Sequence, residues 1–295
     1  MSWKRSLVNS LGAKPGLTAT AAVYGLGGRF YARWLYSAQG EALVGERGGK
    51  LTVSFDVDYP RDALALGPLC ELLDKLGITA SFAVVGEFVK RYPGQHRLLA
   101  EGGHELLNHT QNHPDNELLC PDRNFDQLSP QEQAQEIELC TITCREMLGV
   151  ELKGFRAPHF GNVSSRDFYQ LLAGQGYSFS SSMMATETET CGQPFLTAEG
   201  IWEFPVSTCP RHPFAVLDSW HALRKPGGRH TDSGQFAALV SESIEMAAEY
   251  GAYLNLYFDP SHILEFPQAI EALSELSPER HGLPMLTYSG YLDLL

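Results

Sequence analysis

Positive charge is scarce in this chain. Only 22 Lys and Arg stand against 35 Asp and Glu, a formal net charge of −13. Such a surface repels phosphate, which argues against general nucleic-acid binding. Long apolar runs are also missing. The stretch LTATAAVYGLGGRFYARWLY near the N-terminus is too short and too rich in glycine for a membrane span. It begins late and no cleavage site follows, so it does not read as a secretory signal. The six cysteines, at 70, 120, 140, 144, 191 and 209, lack the spacing of a disulfide framework. Cys140 and Cys144 lie four apart on a helical pattern and read as core residues. There is no Gly-x-Ser-x-Gly elbow. GLGGRF lacks the third glycine of a dinucleotide fingerprint, and GERGGKLT misses the phosphate-loop spacing. No internal repeat or low-complexity tract is evident. A reducing, cytoplasmic setting is the expectation.

What is there divides in two. The first fifty residues carry Lys4, Arg5, Lys14, Arg29, Arg33, Arg47 and Lys50 against Glu41 and Glu46. Residues 1–48 read as an N-terminal extension packed on the domain. A basic, aromatic segment of this kind also suits peripheral contact with a membrane surface or with a second subunit in a homo-oligomer. Residues 49–295 alternate short apolar runs with helical periods, the pattern of an α/β parallel sheet with crossovers, open or closed into a barrel. Gly77 marks one helix end. In SPQEQAQEIELC, Ser129 caps, Pro130 takes the first helical position and Glu132 completes a capping box. Ser164 reads as the cap of SSRDFYQLLAGQG.

Polar residues collect at strand ends, where β/α folds place function. LTVSFDVDYP runs an apolar strand into Asp56 and Asp58. Two residues apart on a strand, they share a face and repel. A metal ion, an arginine or a shared proton is needed to neutralise them. GGHELLNHTQNHPD supplies His109 and His113, whose spacing on a helical turn suits one metal, with Asp58 as a third ligand. Asp56 is then free to act as general base, and Arg156 in GFRAPHFG to orient it. Loss of an amide nitrogen needs an acid, for which His262 and His159 are the candidates. Trp202, Trp220 and Tyr257 read as core packing before sugar stacking. His212, His221 and His230, in a loop-like stretch, read as surface histidines.

These segments resemble the polysaccharide deacetylase family, also called NodB-like or carbohydrate esterase family 4. SFDVD is similar to its first motif, NHTQNH to its paired-histidine motif and FRAP to its third. GYSFSSSMM, IWEFPVS and YLNLYFDPSHI fall where later motifs belong, so the likeness covers residues 50–295. The resemblance implies a distorted (β/α) barrel of fewer than eight repeats. It implies a divalent metal, often zinc, held by Asp58, His109 and His113, with Asp56 as base and Arg156 tuning it. It implies a carbohydrate or acylated amino-sugar substrate that loses an N- or O-acetyl group, and a backbone N–H near APHFG that stabilises the oxyanion.

The chain departs from that pattern in four places. Val57 separates the first-motif aspartates, RAPHFG has one residue more before its glycine, Ser180 replaces an aspartate, and Asp259 stands where the last-motif histidine is expected. His262 lies three residues on. Two readings compete with the amino-sugar deacetylase: a non-catalytic metal- and carbohydrate-binding barrel, and a deacylase of a non-sugar amide.

Overall fold

The structure is a computed structural model, and it describes residues 15–26, 28–41, 48–160, 165–224 and 229–295. Its spine is strand β1, Lys50–Val57. Leu51, Val53, Phe55 and Val57 are fully buried on one face, in a core shared with helical residues such as Leu66, Leu69 and Val240. The alternate residues Thr52, Ser54 and Asp56 are buried too. Both faces of β1 are therefore covered, an apolar one by helices and a polar one by the interior of a curled sheet.

β2 (Ser81–Val84), β3 (Glu105–Asn108), β4 (Gly154–Phe155), β5 (Phe179–Ser180), β6 (Phe195–Leu196) and β7 (Trp202–Glu203) follow, then β8 (Thr208–Cys209), β9 (His212–Val216), β10 (Tyr253–Phe258) and β11 (Met285–Leu286). The order is β10-β1-β2-β3-β4-β5-β7-β6, parallel throughout except for β6 against β7. β11 lines the first half of β1, at Leu51 and Thr52, while β2 lines the second half from Ser54. Where the two ends of the sheet meet, Asn255 joins them. Its N–H donates to Ser207 Oγ at 3.0 Å, its carbonyl accepts from Ser207 N–H at 2.9 Å, and its Nδ2 donates to the carbonyls of Phe204 and Pro205. The result is the distorted (β/α) barrel expected.

The crossover helices stop where their sequences say. Helix Pro60–Leu76 ends on Gly77 at φ 65°, a left-handed position that glycine adopts without strain. Helix Pro130–Leu148 starts with the full capping box on Ser129 and Glu132. Cys140 and Cys144 are buried in the core as expected. Helix Arg166–Gly174 is capped by Ser165, whose Oγ accepts from Phe168 N–H. The expected cap Ser164 lies outside the described residues.

Two helices of the N-terminal segment, Pro15–Leu26 and Gly28–Glu41, pack on the barrel. Tyr31, Leu35 and Tyr36 are buried, and Gly16 and Gly40 bring backbone against Thr186 and Tyr250, where a Cβ has no room. Among the described residues no helix is long and apolar enough to cross a membrane.

His96, in helix Pro93–Glu101, is fully buried. Its Nδ1 donates to Tyr92 O at 2.8 Å, and its Nε2 has no hydrogen-bond partner. Burial lowers its pKa from 6.5 to about 4. Across that window the unfolded chain takes up a proton that the folded chain refuses, so this histidine makes stability rise with pH. Urea unfolding of wild type and His96→Gln at pH 4.5 and pH 7 checks this: the variant loses part of the pH dependence and the wild type keeps it.

Candidate active site

Strand β1 delivers Asp56 beside Asp58 at the C-terminal edge of the sheet, and the loop after β3 brings two imidazoles to meet them. Asp58 Oδ1 lies 3.2 Å from His109 Nε2 and 3.5 Å from His113 Nε2. All three ligand atoms fall within 4.8 Å of one another. Both histidines are buried, and Asp58 keeps a 17% exposed side chain. His109 Nδ1 is 2.7 Å from the Arg156 carbonyl. A carbonyl only accepts, so Nδ1 holds the proton and Nε2 turns a lone pair toward Asp58. Asp58 Oδ1 and His113 Nε2 are buried with no hydrogen-bond partner. Three lone-pair atoms facing one space, two of them orphaned, fit a divalent cation. Burial pushes the Asp58 carboxyl up, but His113 and His109 outweigh it and hold it below the ordinary carboxylate range. Burial lowers His113 to about 3, which keeps it neutral as a metal ligand must be.

The histidines do not meet on a helical turn. Thr110 (φ 67°), His113 (φ 47°) and Asp115 (φ 76°) are left-handed, which excludes a helix. Side chains replace the helical hydrogen bonds. Asn108 Oδ1 accepts from Thr110 N–H at 2.8 Å, and Thr110 Oγ1 accepts from His113 N–H at 3.0 Å. Asn108 is itself held by Ile137 O and Tyr177 Oη, and Asn116 Nδ2 ties the loop to the Asp58 carbonyl at 2.8 Å.

Arg156 is fully buried in the barrel interior. Its Nη1 donates to Asp56 Oδ1 at 2.7 Å and to Ser54 Oγ at 2.8 Å. Its Nε donates to Ser181 O, and its Nη2 to Ser181 Oγ and Tyr288 Oη. Burial raises the Asp56 pKa above the ordinary carboxylate value, with Arg156 and His109 pulling against it.

The last strand end brings Asp259 and His262 together. Asp259 caps helix Pro260–Glu265, and its Oδ2 lies 2.9 Å from His262 Nδ1. Ser219 Oγ is 3.0 Å from the same nitrogen and accepts from Asp259 N–H. His262 is buried, with Trp220 stacked on its ring at 5.9 Å and Nε2 unpartnered. The aspartate thus stands beside the histidine as its partner. His159 is half exposed, its ring 4.9 Å from that of His113. Ala157 N–H, near the expected oxyanion donor, is taken by Ser182 Oγ at 2.9 Å. Ser180 donates to Ser182 in the interior.

The histidine-rich stretch is not a loop of surface histidines. It folds into the β8–β9 hairpin, His230 is buried beside Cys209 and His212, and His221 Nδ1 is 2.7 Å from Asp218 Oδ2. Hydropathy missed it because the hairpin is two to five residues a side and broken by Pro210 and Arg211. Of the aromatics, Trp202 packs on the interior cluster of Phe179, Phe204 and Tyr288, and Tyr257 lies over Arg156 at 5.7 Å. Ser181, Asn255, Tyr288 and Ser219 were not singled out. Only long-range contacts reveal them.

Residues 46–179 match the sequence model of the polysaccharide deacetylase family, which bears out the resemblance. No curated protein matches the chain. Similar solved structures include a candidate polysaccharide deacetylase from Mycobacterium smegmatis, at 19% identity and TM-score 0.69, covering 85% of this chain and 92% of that one. A pseudoenzyme of carbohydrate esterase family 4 from Bacillus anthracis matches at 13% identity and TM-score 0.54, over 84% and 66% of the two chains. A family 4 carbohydrate esterase from Streptomyces lividans, in complex with acetate, matches at 15% identity and TM-score 0.50, over 81% and 93%. At such identities the likeness is one of fold.

Removing the Arg156 guanidinium takes its donors away from a buried carboxylate and three hydroxyls. Arg156→Ala is expected to lower stability by about 3–5 kcal/mol in urea unfolding. Arg156→Lys, which has no planar fork, restores only part of it.

Proposed function

We propose that this chain, with its polysaccharide deacetylase fold and sequence pattern, is a divalent-metal-dependent hydrolase that removes an N-acetyl or similar acyl group from an amino sugar in a polysaccharide or glycan precursor. The observation that carries the reading is the cluster of Asp58, His109 and His113 donor atoms beside the Asp56–Arg156 pair. Asp58, His109 and His113 would hold the cation, with zinc the favoured ion for such a donor set. When bound, it supplies Lewis acidity toward the acyl oxygen and the attacking water.

The rest of the chemistry falls to the chain. Asp56 accepts the proton of the attacking water on its second oxygen, while Arg156 holds the first. A raised pKa makes it a better base than an exposed carboxylate. His262 gives a proton from Nε2 to the leaving nitrogen, and Asp259 and Ser219 fix its Nδ1. His159, at the exposed rim, is placed to meet substrate first. The same reading puts the enzyme in the cytoplasm, where exposed Phe30 and Arg33 offer a contact to a membrane bearing the precursor. A non-catalytic barrel is the second reading, favoured by the description of one similar structure as a pseudoenzyme. Against it stand the paired base and the paired histidine.

Elemental analysis of purified wild type and His113→Ala, with a panel of acetylated and formylated amides, tests the proposal. The wild type holds a metal equivalent that His113→Ala loses. Asp56→Asn keeps the metal while turnover drops about 10²–10⁴-fold. A wild type that takes up no metal at the Asp58 cluster when offered it would sink the mechanism.

A further inference from the structure

Away from the strand-end site, Cys209, His212 and His230 bring a sulfur and two ring nitrogens within 4.8 Å of one another. Cys209 Sγ lies 3.6 Å from His212 Nδ1 and 3.6 Å from His230 Nε2. A tetrahedral ion with a Zn–S bond of about 2.3 Å and Zn–N bonds of about 2.05 Å sets its sulfur and nitrogens about 3.6 Å apart. Without an ion the sulfur can serve both nitrogens only as a weak donor to one and a weak acceptor from the other. Cys209 and His230 are buried, and His212 is half buried. A small void of about 10 Å³ adjoins them, lined in part by Cys209, His221 and His230, with room for about one water as a fourth ligand.

From this geometry we propose that Cys209, His212 and His230 form a second, structural metal site, of the thiolate–imidazole class that takes zinc.

The local chain is built for it. Cys209-Pro210-Arg211-His212 is a tight hairpin turn, with Cys209 paired to His212 across it. His230 N–H donates to Ala222 O at 3.0 Å, so an ion here would fasten the hairpin to the segment that follows Ser219 and Trp220. The N-terminal helices rest on the same hairpin: Tyr31 Oη meets Thr208 Oγ1 at 3.4 Å and Tyr24 Oη donates to Arg211 O at 3.3 Å. Zinc at this point ties the N-terminal segment to the strand that leads into Ser219.

Cobalt separates this site from the other, because the Asp58 cluster contains no sulfur. The full-length chain is loaded with Co²⁺ and its near-ultraviolet spectrum recorded. A thiolate-to-cobalt charge-transfer band is expected in the wild type and in His113→Ala, and it is lost in Cys209→Ala. Cys209→Asp, which keeps an anionic ligand, is expected to retain the cobalt equivalent and lose the band, and it decides the matter if the alanine variant does not fold. No band in wild type at saturating cobalt, or a band that survives either Cys209 substitution, overturns the proposal. Loss of the Asp58 equivalent in His113→Ala bears only on the deacetylase reading, so the two fail separately.

Discussion

A guanidinium with no exposure to solvent sits at the centre of this barrel, and the functional face depends on how it is held. Arg156 has five N–H donors, and the interior supplies five acceptors: Asp56, Ser54, Ser181 twice and Tyr288. Its backbone carbonyl meanwhile receives His109 Nδ1. One residue therefore holds both the Asp56 carboxylate and the tautomer of the His109 imidazole. A buried guanidinium that lost its Asp56 partner would cost about 3–5 kcal/mol. The surrounding side chains are fixed in turn: Tyr288 Oη donates to Asn255 Oδ1, and Thr52 Oγ1 meets both Tyr253 Oη and Asn255 Oδ1. The polar interior is one connected network that rigidifies the site by satisfying every member.

Much of this was legible in the sequence, for identifiable reasons. β1 alternates small polar and large apolar residues, and period two is enough to put Thr52, Ser54 and Asp56 on one face. Ser129, Pro130 and Glu132 spell a helix start through local hydrogen bonds alone. Asp58, His109 and His113 sit in motifs short enough to be recognised. The failures are of another kind. The spacing of four between His109 and His113 suggested a helix, yet left-handed Thr110 and His113 and the Asn108 side chain produce the same convergence. Spacing alone does not distinguish them. Asp259 looked like the loss of a histidine because its partner three residues on becomes visible only when the helix turn is built. Tyr288, Asn255 and Ser219 meet their partners across long stretches of chain, beyond the reach of local pattern. The Cys209 cluster hid for the same reason: its third member, His230, lies 21 positions along the chain from Cys209.

The two clusters contrast in what surrounds them. The Asp58 group opens to solvent through a half-exposed His159 and a carboxylate that keeps 17% exposure, and it lies beside a general-base candidate. The Cys209 group is more enclosed, with Cys209 and His230 buried, and among the described residues no carboxylate is one of its three donors. Open donor sets suit reaction, and closed ones suit fastening.

The separation of Ser54 from Tyr288 is 234 positions, yet their hydroxyls lie 3.2 Å apart around one guanidinium. During synthesis the strand that carries Asp56 leaves the ribosome early, and Arg156 about a hundred residues later. Tyr288 and the β11 strand that lines β1 emerge after all of them. The nascent chain therefore waits with an acidic pair and an unfinished cradle until almost the whole domain is out. Its polar centre is assembled last.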